Sequence, residues 1–117
     1  MKRDLDLGRS ILQQIEATQT VRDWIDLTVE GHTDEEVSYH VMLLAKEGLI
    51  EATDLSTSDG FEWKPIRLTW AGHEFLDAAR DESQWSKAKA IVLKKSGGLS
   101  FDVLKAVLID LVKKSVL

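Results

Sequence analysis

The stretch from Thr33 to Ile50 carries signals for both ends of a helix, and these constrain the fold more than any other part of the chain. Thr33-Asp34-Glu35-Glu36 reads as a capping box. The Thr33 hydroxyl is placed to take an early helix amide, and Glu36 to reach back to the amide of Thr33. Val37, Val41 and Leu44 then recur at helical spacing and give one apolar face. Gly48 is the residue type that turns left-handed where a helix stops, and Leu49-Ile50 leave it as apolar residues. A strand over about 49–54 is expected to follow, then the loop Ser56-Thr57-Ser58-Asp59-Gly60, whose Asp-Gly pair favours a hairpin turn. The returning strand covers about 61–68. Pro65 within it has no N–H to give, so this strand belongs at a sheet edge or is interrupted.

Around this centre the pattern is mostly helical. Asp4 or Asp6 opens a helix to about Ala17, with Leu5, Ile11, Leu12 and Ile15 near helical spacing. Thr18-Gln19-Thr20 is a polar break. From Trp24 onward Ile25, Leu27 and Val29 alternate with Asp26, Thr28 and Glu30, a period of two that predicts a half-buried strand ended by Gly31. Thr69 caps a helix from Trp70 to about Arg80 with Phe75, Leu76 and Ala79 inward. Another helix covers about 83–95, with Trp85, Ala88 and Val92 on one face. Ser96-Gly97-Gly98 is a break, and Ser100 caps a last helix from Phe101 to about Lys114.

Two stretches resemble bacterial winged-helix regulators. Val37-Ser38-Tyr39-His40-Val41-Met42-Leu43-Leu44 with Gly48-Leu49-Ile50 is similar to their third helix, and Arg67-Leu68-Thr69-Trp70-Ala71-Gly72 to the step that closes the wing and opens the next helix. The resemblance implies an α+β winged-helix-like domain over residues 1–82, in the order helix, strand, helix, β-hairpin wing, helix, with a C-terminal helical extension over 83–117 packed on it. A second resemblance covers nearly the whole chain. Met1-Lys2-Arg3-Asp4-Leu5-Asp6-Leu7, Leu68-Thr69-Trp70-Ala71-Gly72-His73-Glu74-Phe75-Leu76-Asp77 and Gly97-Gly98-Leu99-Ser100-Phe101-Asp102 look like an uncharacterised family of small proteins from bacteria and their phages or prophages. That resemblance implies a mobile-element origin and carries over no activity and no functional residue.

Several chemistries are set aside by residue type. The chain has no cysteine, which removes disulfides, thiolate metal sites and thiol nucleophiles. No apolar run approaches the roughly 20 residues a membrane span needs, and the first residues lack a signal-peptide stretch, so a cytoplasmic protein with no membrane association is expected. His40 and His73 have no paired metal-ligand spacing and read as structural, and His32 beside the cap reads as exposed. No nucleophile elbow, phosphate loop or dinucleotide fingerprint occurs, so the chain is read as non-enzymatic and without a cofactor. The four tryptophans read as core anchors, except Trp63 near Phe61 on the wing, which would suit a partner surface.

Charge bears most directly on function. Residues 1–84 hold 8 Lys and Arg against 18 Asp and Glu, while residues 85–117 hold 7 against 2. A winged helix meets DNA with its third helix, here 34–47, where a single cation faces four carboxylates. The candidate contacts for a nucleic acid or another partner are Lys2, Arg3, Ser38, Tyr39, Met42, Trp63, Lys64 and Arg67, and the candidate acidic partner face is Asp34, Glu35 and Glu36. The wide apolar arc of the last helix, including Phe101, Leu104, Leu108 and Leu111, predicts a dimer seam and hence a homodimer. Two function classes follow. Fold resemblance gives the leading expectation, a DNA-associated transcriptional regulator, although DNA is electrostatically disfavoured at the recognition helix. Local charge gives the alternative, an acidic protein-interaction module with no direct DNA contact.

Overall fold

A computed structural model describes residues 1–19, 23–96 and 101–116. Among them the chain forms five helices and a two-stranded antiparallel hairpin: α1 (Leu5–Ala17), α2 (Asp34–Lys46), β1 (Ile50–Asp54), β2 (Trp63–Leu68), α3 (Trp70–Ala79), α4 (Glu82–Ser96) and α5 (Phe101–Val116). Thr20, the Ser96-Gly97-Gly98 break at its two glycines, and the Ser100 cap lie outside the described residues. The chain divides into two compact units, Met1–His73 and Glu74–Leu117.

In the first unit the helix ends are set by local hydrogen bonds. Asp4 caps α1 by accepting from the Leu7 amide at 3.1 Å. Thr33 and Glu36 form the reciprocal capping box of α2, with the Glu36 N–H donating to Thr33 Oγ1 at 3.1 Å and the Thr33 N–H to Glu36 Oε1 at 3.3 Å. Gly48 ends that helix at φ 83°, a left-handed conformation in which a side chain would be strained. The helices bury the stripes their spacing dictates: Leu7, Ile11, Leu12 and Ile15 on α1, Val37 and Val41 on α2. α2 packs against α1 and both strands, and α1 against β2.

Pro65 shapes the hairpin. Ile50 pairs with Leu68 and Glu51 with Arg67, but Ala52 then pairs with Pro65, so the register slips by one residue where the proline has no N–H to contribute. The turn also differs from the expected one. Ser58 and Asp59 form its centre, closed by the mutual backbone bonds of Thr57 and Gly60 at 3.0 and 3.1 Å, and Gly60 has no positive φ. The Asp-Gly pair therefore closes a turn without supplying the left-handed residues of a tight hairpin.

The segment 24–29 corrects the expected strand. Its burial alternates as a period of two requires, with Ile25 and Leu27 buried and Trp24, Asp26 and Thr28 exposed, yet it forms no regular ladder. The Ile25 N–H donates to the Pro65 carbonyl at 2.7 Å. The return bond that would extend a ladder cannot form there, because Pro65 has no donor. The described residues between α1 and α2 also contain no helix.

α3 starts within a close backbone approach. The Thr69 hydroxyl accepts from the Gly72 amide at 3.1 Å and donates to the Gly48 carbonyl at 2.6 Å, while the Thr69 N–H donates to the Leu49 carbonyl at 3.0 Å. A Cβ on Gly72 would lie 1.9 Å from that same Leu49 oxygen. The Leu-Thr-x-x-Gly pattern thus has a physical basis: threonine stitches the helix start to the end of α2, and glycine makes room for it.

The second unit is helical. Phe75, Leu76, Ala79, Trp85, Ala88, Val92, Leu104 and Leu108 are buried, and Phe75 meets Trp85 edge to face at 6.3 Å and Phe101 at a tilt at 5.1 Å between ring centres. α4 and α5 pack on each other. Of the four tryptophans only Trp85 is a buried anchor. Trp63 is half-buried, Trp24 is exposed, and Trp70 at the first turn of α3 is 82% exposed.

Candidate functional site

The first turn of α2 and the hairpin tip form an open cleft in the first unit. It has a volume of about 290 Å³ and is lined by Asp34, Ser38, Asp59, Phe61, Glu62 and Lys64, among others. The hairpin tip is held in shape by its own side chains. Asp54 accepts from the Ser56 amide at 2.9 Å, and Ser56 Oγ accepts from the Glu62 amide at 2.9 Å. The Ser56 bonds hold the Asp54 carboxyl below the usual aspartate range, so it stays ionised. Phe61, 40% exposed, supplies an apolar surface beside these acids.

Ser38 was expected on the outward face of α2 and lies instead in the interior, 4% exposed. Its hydroxyl accepts from the Trp63 N–H at 3.1 Å and lies 3.3 Å from the Trp63 carbonyl, tying the helix to the start of β2. It satisfies two backbone groups, and its only donor is committed to one of them. His40 is buried in the same way. Its Nδ1–H donates to the Glu36 carbonyl at 2.8 Å and its Nε2 accepts from the Asp4 amide at 2.8 Å, which locks α1 to α2. Tyr39 and Met42 are half-buried, Tyr39 lying edge-on to His40.

The wing cations are already engaged. Lys64 Nζ lies 2.8 Å from Asp26 and 3.7 Å from Glu62, and 5.9 Å from the centre of the Trp24 ring. The hydrogen bond to Asp26 chiefly raises the lysine above its ordinary range, so it is charged at neutral pH and paired. Arg67 pairs with Glu51 across the hairpin. Lys2 and Arg3 are exposed at the start of the chain.

The acidic residues are arranged differently from one another. Asp34 and Glu35 are exposed, whereas Glu36 turns back into the cap. His32, expected to be exposed, is half-buried and sits 3.1 Å from Glu36 Oε2. That contact, with the bond from the Thr33 amide, holds the Glu36 carboxyl below the usual glutamate range. The acidic surface is therefore Asp34, Glu35, Asp59 and Glu62. Asp59 was read from the sequence only as part of the hairpin turn and Glu62 not at all, because only the folded hairpin brings its tip to the start of α2.

Among the described residues no group of His, Asp or Glu side chains is placed to hold a metal ion, and no helix is long and apolar enough to cross a membrane.

The proposed seam on α5 is also corrected. Leu104 and Leu108 are fully buried, and Phe101 is half-buried against Phe75, so none of the three forms an open seam. The residues facing outward are Val103, Ala106, Val107 and Leu111, which with Ile91 of α4 line a groove of about 510 Å³.

Comparison with known proteins places these features in a family context. A family model described as "Hypothetical protein (DUF2513)" matches residues 2–98. A Haemophilus influenzae protein, described as an uncharacterized protein, is 42% identical over 110 residues, which cover 92% of each chain. No solved structure matches the chain.

Proposed function

The chain belongs to the DUF2513 family of hypothetical proteins, and from that premise we propose that it is a non-enzymatic, acidic protein-interaction module whose partner presents a basic segment. The observation that carries this reading is the charge state of the hairpin face. Lys64 and Arg67, the cations that a DNA-binding wing would offer to phosphates, are each held by carboxylates, Lys64 by Asp26 and Glu62, while the open cleft beside Phe61 is lined by three carboxylates, Asp34, Asp59 and Glu62, against Lys64 alone. Such a face repels a phosphate backbone and attracts lysine or arginine, with an aromatic ring for their aliphatic stems or guanidinium planes. The order of α2, hairpin and α3 supports a winged-helix-like reading of the first unit, with the wing turned to protein recognition.

The DNA-associated regulator is the second reading, and one observation favours it. Lys87 and Lys94 are exposed in the basic C-terminal part of the chain, where a non-specific, salt-sensitive phosphate contact is physically reasonable.

One titration separates the two. Fluorescence anisotropy of a labelled arginine- and lysine-rich peptide and of a labelled duplex is followed at about 50 and 200 mM salt. The module binds the peptide and not the duplex, and Asp59→Lys with Glu62→Lys weakens peptide binding by at least about tenfold. Duplex binding that collapses between the two salts, without peptide binding, would overturn the module and support the regulator.

A further inference from the structure

Among the described residues Lys64 is the one cation lining the acidic cleft, yet its nearest partner stands outside that lining. Its Nζ lies 2.8 Å from Asp26, on the segment 24–29, and 3.7 Å from Glu62 on the cleft wall. The centre of the Trp24 ring is 5.9 Å away, so the same segment offers the ammonium both a carboxylate and an aromatic face. The Ile25 N–H, bonded to the Pro65 carbonyl at 2.7 Å, fixes that segment beside β2. Lys64 is therefore drawn two ways. The hydrogen bond to Asp26 does most to raise it above its ordinary range, and the charges of Glu62 and Asp34, both on the cleft, pull in the same sense. A lysine carries a compact charge on a flexible stem, so its ammonium can pass between such carboxylates while the backbone stays in place.

We propose that Asp26 is a positioning residue, which holds the Lys64 ammonium off the cleft and so leaves the cleft carboxylates to the cations of a partner. The proposal rests on the reading of the cleft as a receptor for a basic segment. Without the Asp26 charge, Glu62 is the nearest carboxylate to Nζ among the described residues, and closing from 3.7 Å to hydrogen-bond distance makes it a full ion pair. The cleft then holds an occupant of its own, an ammonium of the same chemistry as the lysine or arginine it is to receive. Lys64 thus acts as an internal competitor, and Asp26 decides how far it competes. The segment 24–29 owes its place beside β2 to the Ile25 bond as well as to this ion pair, so the position of the ammonium can change without releasing the segment.

A double-mutant cycle tests the proposal with the labelled arginine- and lysine-rich peptide at about 50 mM salt. The Asp26 side chain is 76% exposed, so the isosteric Asp26→Asn leaves the core untouched, and circular dichroism checks that each variant is folded. Asp26→Asn weakens peptide binding about threefold, the size of one exposed ion pair. Lys64→Met does not weaken it, and in the Lys64→Met background Asp26→Asn has no further effect, because no ammonium remains to be released. Equal weakening by Asp26→Asn in both backgrounds would mean that Asp26 acts through net charge. Weakening by Lys64→Met as large as that by Asp26→Asn would mean that the pair only fastens the segment 24–29. Either result overturns the proposal. A second readout needs no peptide. At neutral pH the side-chain carboxylate carbon-13 resonance of Glu62 shifts on Asp26→Asn, and the same substitution leaves it in place in the Lys64→Met background. A Glu62 resonance that ignores Asp26→Asn overturns the proposal whether or not the peptide binds. A native chain that binds no peptide, with the Glu62 shift present, overturns the receptor reading and supports the placing of Lys64 by Asp26.

Discussion

Replacing Gly72 by alanine isolates the contact that joins α3 to the end of α2. In an exposed helix interior glycine to alanine gains about 1 kcal/mol, because the unfolded chain loses freedom and the helix is favoured. Here the added Cβ would stand 1.9 Å from the Leu49 oxygen and 3.0 Å from its carbonyl carbon. Ordinary contact is about 3.5 Å, so two stretches of backbone must separate by roughly 1.5 Å. Neither can yield freely. The Leu49 carbonyl accepts the Thr69 amide at 3.0 Å, and Thr69 Oγ1 in turn bonds both Gly48 and Gly72. Overpacking of this kind typically costs about 1–3 kcal/mol and more where backbone must move, which exceeds the propensity gain. The expected net loss is about 2 kcal/mol, or roughly 8 °C in Tm for a chain of this size. Gly8→Ala in α1 is the internal control. Its Cβ would meet only Leu44 Cδ2 at 3.8 Å, an ordinary contact, so a gain of about 0.5–1 kcal/mol is expected. Urea unfolding followed by circular dichroism reads both variants. If Gly72→Ala is as stable as the native chain, or more so, the close approach does not constrain the fold and the reasoning fails.

Other consequences follow from the same geometry. Ser38→Ala leaves the Trp63 N–H without its acceptor and should cost about 1–3 kcal/mol in urea unfolding; a loss under about 0.5 kcal/mol would mean that water replaces the hydroxyl. Thr33→Ala removes the cap of α2 and should cost about 1 kcal/mol at neutral pH. Because the folded state holds the Glu36 carboxyl below its unfolded range, its contribution is complete above that range and is lost as pH falls through the lowered value. Glu36→Gln should therefore flatten the acid limb of stability below about pH 5, where the unfolded carboxyl begins to protonate, and an unaltered limb would argue against this linkage. Leu104→Asp places a carboxylate at a fully buried position, so loss of helical signal is expected, and not a folded monomer.

What the sequence determined by itself are the features fixed by bonds between near neighbours. The Asp4 cap, the Thr33–Glu36 box, the Gly48 stop and the Thr69 cap each satisfy helix-end groups, and each was legible because the partners lie close along the chain. The stripe of α4 was legible for the same reason, as were Ile11, Leu12 and Ile15 of α1, where Leu7 and not the expected Leu5 completes the buried face, since 3.6-residue periodicity is a local property. Only the tertiary structure decided the rest. The alternation of 24–29 was real, but whether it became a strand depended on Pro65, some forty residues away, having no donor to return. Ser38 and His40 read as ordinary polar helix residues until β2 and the start of α1, 25 and 36 residues distant, supplied backbone groups for them to satisfy. On α5 the apolar arc is too wide for periodicity to choose a buried side, and packing against α4 buried Leu104 and Leu108 while leaving Val103 outside. The acidic cleft was half visible at Asp34, but Asp59 and Glu62 join it only when the hairpin folds back. Local bonds fix an element as it forms, whereas the inward or outward fate of a polar or apolar residue depends on what distant chain arrives to meet it.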